Sequence, residues 1–186
     1  MNTKLNDISQ IQSGVYAKQS KNGDVLYLQS GHINESGGVE KNVQPTVVLD
    51  HKLSNFILKE GDILFSAKGN RNISVVYDAQ WGRAVASSTF FVIRLAVKSV
   101  IPEYLSWFLN HPKTQLLLKA QAKGVNPPSI SIETMKDLQI EIPDIRTQQE
   151  ILDIYALRKR ERELIHQIEE LKEQELQHRL YHSSMR

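Results

Sequence analysis

The sequence predicts an α+β fold with a long C-terminal helix, and three observations support this. Short apolar runs separated by turn residues occupy the chain up to about residue 95, and helical periodicity begins only after Pro102. From Thr147 to Leu180 there is neither proline nor glycine. Strands that precede helices favour α+β over alternating α/β order. We therefore predict a globular domain over residues 1–145 and a long helix over residues 146–186.

Five segments are predicted as strands because they are rich in β-branched, aromatic or leucine residues and are bounded by turn residues. They are residues 25–28, 46–49, 63–66, 73–77 and 90–95. A sixth, short strand is expected around Ile140 and Ile142.

Three short helices are predicted between the strands and the long helix. Pro102 suits the first turn of one helix, and a second helix follows Pro112 and stops near Gly124. Ser131 can cap a third, which ends near Leu138.

The long helix carries an apolar seam at heptad spacing. The seam consists of Ile154, Leu157, Leu164, Ile168 and Leu171. Glu161 and Glu175 interrupt it. Because a helix of this length spans about 50 Å, one small domain cannot cover the seam, which requires a partner helix from the same chain or another. The alternative is a helix that lies flat on its own domain.

The composition excludes several classes of protein. The chain has no cysteine, which excludes disulfides, thiol catalysis and cysteine-ligated zinc. No apolar run approaches the roughly 20 residues of a membrane helix, and the polar first residues do not resemble a signal peptide. We therefore expect a cytoplasmic protein that does not associate with membranes.

The positive charge is concentrated in the middle of the chain. Residues 63–132 contain eight basic and two acidic side chains, a net charge of +6, whereas the whole chain carries +2. Such a block indicates either a surface for a polyanion or scattered surface lysines.

The residues do not indicate a catalytic or metal site. Asn126-Pro127-Pro128-Ser129 resembles the Asn/Asp-Pro-Pro-aromatic turn of amino-methyltransferases, but serine replaces the aromatic residue that stacks on the flipped base. The histidines lack the spacing of a metal site. Asp62, which follows Gly61, is interpreted as a turn residue rather than a nuclease carboxylate.

Recognition of nucleic acid is better supported than catalysis. The segment after residue 66 lies between two predicted strands and places cations and amides on a loop, which are the groups that contact phosphates and base edges. A polar turn without a ligand is the alternative. Two further polar loops lie near residues 20 and 125. The candidate DNA-binding residues in the three loops are Lys18, Lys21, Lys68, Asn70, Arg71, Asn72, Lys123 and Asn126.

Several motifs, in this order, resemble those of a target-recognition domain of a type I restriction–modification specificity subunit. These motifs span nearly the whole chain. The first three are Lys4-Leu5-Asn6-Asp7-Ile8 with Gln12-Ser13-Gly14, Gly61-Asp62-Ile63-Leu64-Phe65-Ser66 with Gly69, and Pro102-Glu103-Tyr104-Leu105 through Asn110. The last two are Gly124 with Pro128-Ser129-Ile130-Ser131, and Leu138 to Pro143 with Gln148 and Ile151. The chain differs from the family pattern at Asn6, Asp144 and the pair Arg146-Thr147, where the family has glycine, proline and an acidic pair. Without the acidic pair, the start of the long helix has less negative charge to interact favourably with the positive end of the helix dipole.

The resemblance implies sequence-specific recognition of double-stranded DNA without catalysis. Adenine methylation and restriction would belong to partner methyltransferase and restriction/translocase subunits, which would hold S-adenosylmethionine and ATP. A full specificity subunit resembles two such domains with their long helices paired antiparallel, so this chain resembles half of one, and we expect a homodimer through an antiparallel coiled coil. The alternative is an orphan or decoy scaffold that binds methyltransferase subunits without DNA recognition. A standalone methyltransferase or nuclease is less well supported.

Overall fold

The computed structural model describes residues 2–34, 38–40, 43–68, 72–122 and 129–184, with residues 182–184 described as backbone only. The chain divides into two compact units, Met1–Gln148 and Gln149–Arg186. Among the described residues, all strands belong to the first unit, and the second unit is helical. The assignment of residues 1–145 to DNA recognition and of 146–186 to dimerisation stays a prediction.

The described part of the chain has mixed α+β structure, as predicted. In chain order its strands and α-helices are β1 (Asn2–Lys4), α1 (Leu5–Ile8), β2 (Ser9–Ser13), β3 (Val25–Leu28), β4 (Pro45–Val47), β5 (Ile63–Ser66), β6 (Ser74–Val76), β7 (Ala84–Ala86), β8 (Phe90–Leu95), α2 (Pro102–Asn110), α3 (Pro112–Gln121), α4 (Ile132–Lys136), β9 (Gln139–Glu141) and α5 (Ile145–Ser184), with short 3-10 helices at Ser30–His32, Leu53–Phe56 and Ala79–Trp81.

A four-stranded antiparallel sheet with the order β2-β8-β5-β6 forms the centre of the first unit. All four residues of β5 are buried, because both faces of the sheet are covered. One face carries Leu64 and Phe90, which join a core cluster with residues of the second sheet. Helix α2 packs against β6.

The second sheet has the order β4-β3-β7, in which β3 pairs parallel with β7 and antiparallel with β4. Leu28 and Ala86 face the shared core with the first sheet. The opposite face, which carries Val25 and Tyr27, is covered by Leu53 and other apolar side chains of the surrounding loops. Both sheets therefore belong to one continuous fold.

The two ends of the first unit meet in a small two-stranded sheet. Strand β1 pairs antiparallel with β9, and the Leu5 N–H donates to the Leu138 carbonyl at 2.9 Å. This pairing brings the first residues of the chain beside the segment that leads into α5.

Helix α5 is 40 residues long; it begins at Ile145, one residue before the predicted start, and extends to Ser184, within the predicted range. Asp144 caps its start, because its carboxylate accepts the Thr147 N–H at 2.9 Å and the Thr147 hydroxyl at 3.2 Å. The carboxylate supplies negative charge at the helix N-terminus, which compensates for the acidic pair that Arg146 and Thr147 replace.

Gln148 ties the first turn of α5 to the rest of the first unit. Its side chain is fully buried. The side-chain oxygen accepts the Ile101 N–H at 2.9 Å, and the amide nitrogen donates to the carbonyls of Ser99 and Pro143, each at 2.8 Å. A buried amide whose donors and acceptor are paired in this way fixes the local backbone.

The strands and helices predicted from the sequence are confirmed with small shifts at their ends, including the Pro102 and Pro112 helices and the Ser131 cap. Four short elements were not predicted: β1, α1, β2 and β7. Strand β2 has the sequence Ser-Gln-Ile-Gln-Ser and lies at a sheet edge, and β7 consists of small residues. Neither sequence contains the run of large apolar or β-branched residues that predicts a strand, so both strands form because neighbouring strands pair with them.

Candidate nucleic-acid interface

Four segments meet at one edge of the central sheet, which we call the hairpin edge: Gly14–Val15, 67–68, 87–89 and 129–130. The N–H groups of Gly14 and Val15 donate to the carbonyls of Phe90 and Ala86, each at 2.9 Å. On the other side of the 87–89 turn, the Ala67 N–H donates to Thr89 and the Ile130 N–H to Ala67, again at 2.9 Å. Backbone pairing thus brings together Lys68 and Ser129, which border two of the three segments predicted to bind DNA.

Gly14 permits the close packing at this edge. A Cβ atom at position 14 would lie 2.2 Å from the Ser87 carbonyl oxygen and 2.5 Å from that of Ala86. Any larger residue would push β2 away from the 87–89 turn, since backbone atoms cannot give way as side chains do.

Lys68 lies at the start of the predicted loop between β5 and β6, and its side chain is exposed. Its backbone forms an antiparallel bridge with Ser129. Asn72, on the other side of the loop, donates from its side-chain amide to the Ser66 carbonyl at 2.8 Å. Asn72 therefore supports the hairpin itself, while Lys68 offers its ammonium group to solvent.

Asn110 is a supporting residue that the sequence analysis missed. Its side chain accepts the Ser74 N–H at 2.9 Å and donates to the Ser74 carbonyl at 2.7 Å. The Asn110 amide thus pairs with the free edge of β6 as the backbone of a neighbouring strand would. It thereby links α2 to the β5–β6 hairpin. Its sequence signals are its place at the end of a helix, immediately before His111-Pro112, and its place as the last residue of the motif that begins at Pro102.

Lys18 and Lys21 lie in the loop that follows the hairpin edge at Val15, and both side chains are exposed. Between them, the Ser20 N–H donates to the Thr46 carbonyl at 2.6 Å, which places the loop beside β4. The loop thus extends from the central sheet to the second sheet.

The described residues of the basic block do not form one patch in the fold. Lys68 lies at the hairpin edge, whereas Arg83 precedes β7 and Lys98 follows β8, at the opposite ends of their strands. Arg94 pairs with Asp62, which is 1% exposed, through Nε–Oδ1 and Nη2–Oδ2 distances of 2.6 and 2.5 Å. These hydrogen bonds raise the pKa of Arg94.

Asp62 has a larger role than the turn predicted for it. It does close a turn, since its carboxylate accepts the Lys59 N–H at 2.8 Å. It also neutralises Arg94, which removes that cation from any polyanion surface.

The remaining predicted site residues divide into two groups. Asn70, Arg71, Lys123 and Asn126 lie outside the described residues. Each of the seam residues on α5 is at least 42% exposed, and Leu157 reaches 72%. Exposed ion pairs within the helix, such as Arg160–Glu163 and Arg179–Glu175, support it along this length. No helix among the described residues is both long and apolar enough to cross a membrane.

A comparison with protein families now identifies the chain. The family model described as "Type I restriction modification DNA specificity domain" matches residues 1–173. The chain belongs to this family. The resemblance inferred from its motifs is therefore confirmed, and the hairpin edge is part of a DNA specificity domain.

This specificity domain is 36% identical over 101 residues to the type I restriction enzyme HindI specificity subunit of Haemophilus influenzae, strain Rd. The match covers 52% of the chain and 22% of that relative. The matched part of the chain thus spans about a fifth of the length of this curated relative.

Solved structures share the fold of the specificity domain. The S subunit of a type I restriction–modification system from M. genitalium superposes with a TM-score of 0.60 at 14% identity, covering 84% of this chain and 38% of that one. The HsdS subunit from Thermoanaerobacter tengcongensis superposes with a TM-score of 0.63 at 13% identity, covering 87% and 37%. A chain from a study of type I restriction–modification complex assembly reaches 0.64 at 13% identity, covering 87% and 38%.

Proposed function

We propose that this specificity domain recognises a DNA sequence through the hairpin edge and delivers that DNA to partner subunits. The observation that carries the proposal is the meeting of Lys68 and the 129–130 segment at one sheet edge in a DNA specificity domain. A cation on a hairpin held by backbone hydrogen bonds can contact phosphate, and the neighbouring predicted loop residues can contact bases. The proposed contacts are Lys18, Lys21, Lys68, Asn70, Arg71, Asn72, Lys123 and Asn126.

We further propose that two copies pair through α5 as an antiparallel coiled coil. The seam at Ile154, Leu157, Leu164, Ile168 and Leu171 is exposed along its whole length. Apolar side chains at heptad spacing gain free energy when they interdigitate with a second helix. A second copy of the chain offers the same seam, and a C2 pair satisfies both copies at once.

The partners in this proposal supply the chemistry. Methyltransferase subunits would bind S-adenosylmethionine and methylate adenine, and a restriction/translocase subunit would bind ATP and cleave DNA. The chain itself supplies recognition and spacing and holds no cofactor of its own. The family match supports this division, because the matched domain is described as a DNA specificity domain.

DNA affinity measured over a range of salt concentrations tests the proposal. The full chain is titrated into a labelled duplex pool of random sequence, alongside Lys68→Ala and Lys59→Ala variants. These two exposed lysines flank the same strand, β5, at opposite ends, so Lys59 is the matched control. Each phosphate contact releases about one counterion, so log affinity should fall linearly with log salt.

We expect Lys68→Ala to weaken binding and to reduce the magnitude of the salt slope by about one, and Lys59→Ala to change neither. Equal effects of both substitutions would place the DNA elsewhere on the surface. Binding that does not depend on salt would favour the decoy scaffold, which holds methyltransferase subunits without recognising DNA.

A further inference from the structure

Tyr16 is the most exposed large apolar side chain among the described residues, with 88% of its surface accessible. The other described tyrosines of the first unit behave differently. Tyr27, Tyr77 and Tyr104 are buried, and each hydroxyl donates to a backbone carbonyl. A single exposed apolar residue is ordinary on a protein surface, so exposure alone does not assign a role to Tyr16.

The backbone on both sides of Tyr16 is held in place. Val15 donates its N–H to Ala86 at 2.9 Å, and its carbonyl accepts the Tyr27 hydroxyl at 3.0 Å. Ala17, on the other side, is buried in the core cluster of the second sheet. Tyr16 therefore projects from an anchored segment, so contact with a ligand would cost little backbone entropy.

Tyr16 and Lys68 lie on either side of the 87–89 turn of the hairpin edge. Strands β2 and β5 are both direct neighbours of β8. Since neighbouring strands are about 4.8 Å apart, the ends of β2 and β5 beside this turn are separated by roughly 10 Å. The major groove of B-DNA is about 12 Å wide. One duplex lying across these strand ends would span both segments.

We propose that Tyr16 contacts the DNA, with its hydroxyl donating to a phosphate oxygen and its ring packing on the adjacent sugar. The inference rests on the proposed function. It adds an aromatic residue to the lysine, arginine and asparagine residues already proposed to contact DNA. An exposed tyrosine suits this role, because its rigid ring loses little entropy on contact and its hydroxyl is a phosphate donor. Lys18 and Lys21, on the same loop, supply charge nearby.

The test compares Tyr16→Phe and Tyr16→Ala with the wild type in the same salt titration on the random duplex pool. A hydrogen bond to a charged group corresponds to about a tenfold effect or more, so Tyr16→Phe should weaken binding about tenfold and Tyr16→Ala further, up to about a hundredfold. The salt slope should stay unchanged, because tyrosine carries no charge. Gln10→Ala, exposed near the other end of β2, is the control and should have no effect.

Photocrosslinking supplies a second measurement that does not depend on affinity. A benzoylphenylalanine at position 16 should crosslink to the duplex, and the same residue at position 10 should not. If Lys68→Ala weakens binding while both Tyr16 variants bind like the wild type, the role of Tyr16 is wrong and the proposed function stands. If the wild type itself shows no salt-dependent binding, both fail.

Discussion

Asn110 shows how one side chain supports the candidate interface without facing it. Its amide pairs with both backbone groups of Ser74, which is buried. Replacing Asn110 with alanine leaves a buried N–H and a buried carbonyl without partners. We expect Asn110→Ala to lower the free energy of unfolding by about 2–4 kcal/mol and to weaken DNA binding through the hairpin, as measured by urea unfolding and by DNA titration.

Ser74→Ala is the matched control for Asn110→Ala. Among the described residues, the Ser74 hydroxyl is a buried group that finds no hydrogen-bond partner. Its removal leaves both backbone bonds to Asn110 intact and relieves an unsatisfied polar group, so stability should not fall. If Ser74→Ala were as destabilising as Asn110→Ala, loss of the Asn110 bonds would not be the cause.

At the scale of elements, the start of α5 depends on the charge of Asp144. Hydrogen bonds, first that from the Thr147 N–H, hold the pKa of Asp144 below its ordinary value of 3.8. A carboxyl group whose pKa is lowered by folding stabilises the folded state above that ordinary value. This stabilisation is lost as pH falls through the lower, folded-state pKa.

We therefore expect Asp144→Asn to lower the melting temperature at neutral pH, because asparagine keeps a cap acceptor but lacks the charge. The difference from the wild type should disappear at a pH well below 3.8. Asp153→Asn, more than two turns into the helix, is the control. Thermal melts followed by circular dichroism measure both, and a difference that persists in acid would contradict a role for the charge.

The exposed seam of α5 leads to a second prediction, which concerns the oligomeric state of the chain. We expect the full chain to be a dimer at micromolar concentration, and Leu164→Asp with Ile168→Asp to give monomers, because a carboxylate in the seam would be buried without a partner. Leu116→Asp with Leu117→Asp is the control, since these leucines are also exposed but lie on α3. Sedimentation equilibrium measures the mass, and a monomeric wild type would contradict pairing through α5.

At the scale of the whole molecule, pairing by a two-fold axis would determine the form of the DNA target. Identical domains related by such an axis bind identical half-sites in opposite orientation. The target is then an inverted repeat whose spacing depends on the length of the paired helices. Removal of residues 161–167, one heptad, brings Ile168 into the position of Glu161 and keeps the seam in register.

Seven residues of helix span about 10 Å, which corresponds to roughly 3 base pairs of DNA. We expect the shortened chain to direct methylation by the partner subunit to sites whose spacer is about 3 base pairs shorter, with unchanged half-sites. Methylome sequencing of cells that carry the partner methyltransferase with either chain measures the spacer. An asymmetric target, or a spacer that does not change, would contradict the symmetric dimer.

Strands, helix starts and the long helix could be predicted from the sequence alone, because they depend on local apolar periodicity and on proline, glycine and capping residues. Buried strands such as Ile63–Ser66 appear as apolar runs, and Pro102, Pro112 and Ser131 mark helix starts by removing or satisfying free N–H groups. The heptad leucines and the absence of proline and glycine predict α5, and the order of the motifs predicts the family. These signals are local, so they need no knowledge of what packs against them.

The contacts between residues that are distant along the chain became known only from the fold. It paired Asp62 with Arg94, which divides the basic block into exposed and neutralised cations. It placed Asn110 on Ser74 and Gln148 against Ser99 and Ile101. It also brought the anchored segment before Tyr16 to the same sheet edge as Lys68. A buried polar group must find a hydrogen-bond partner, but sheet pairing, rather than distance along the chain, determines which partner lies within reach.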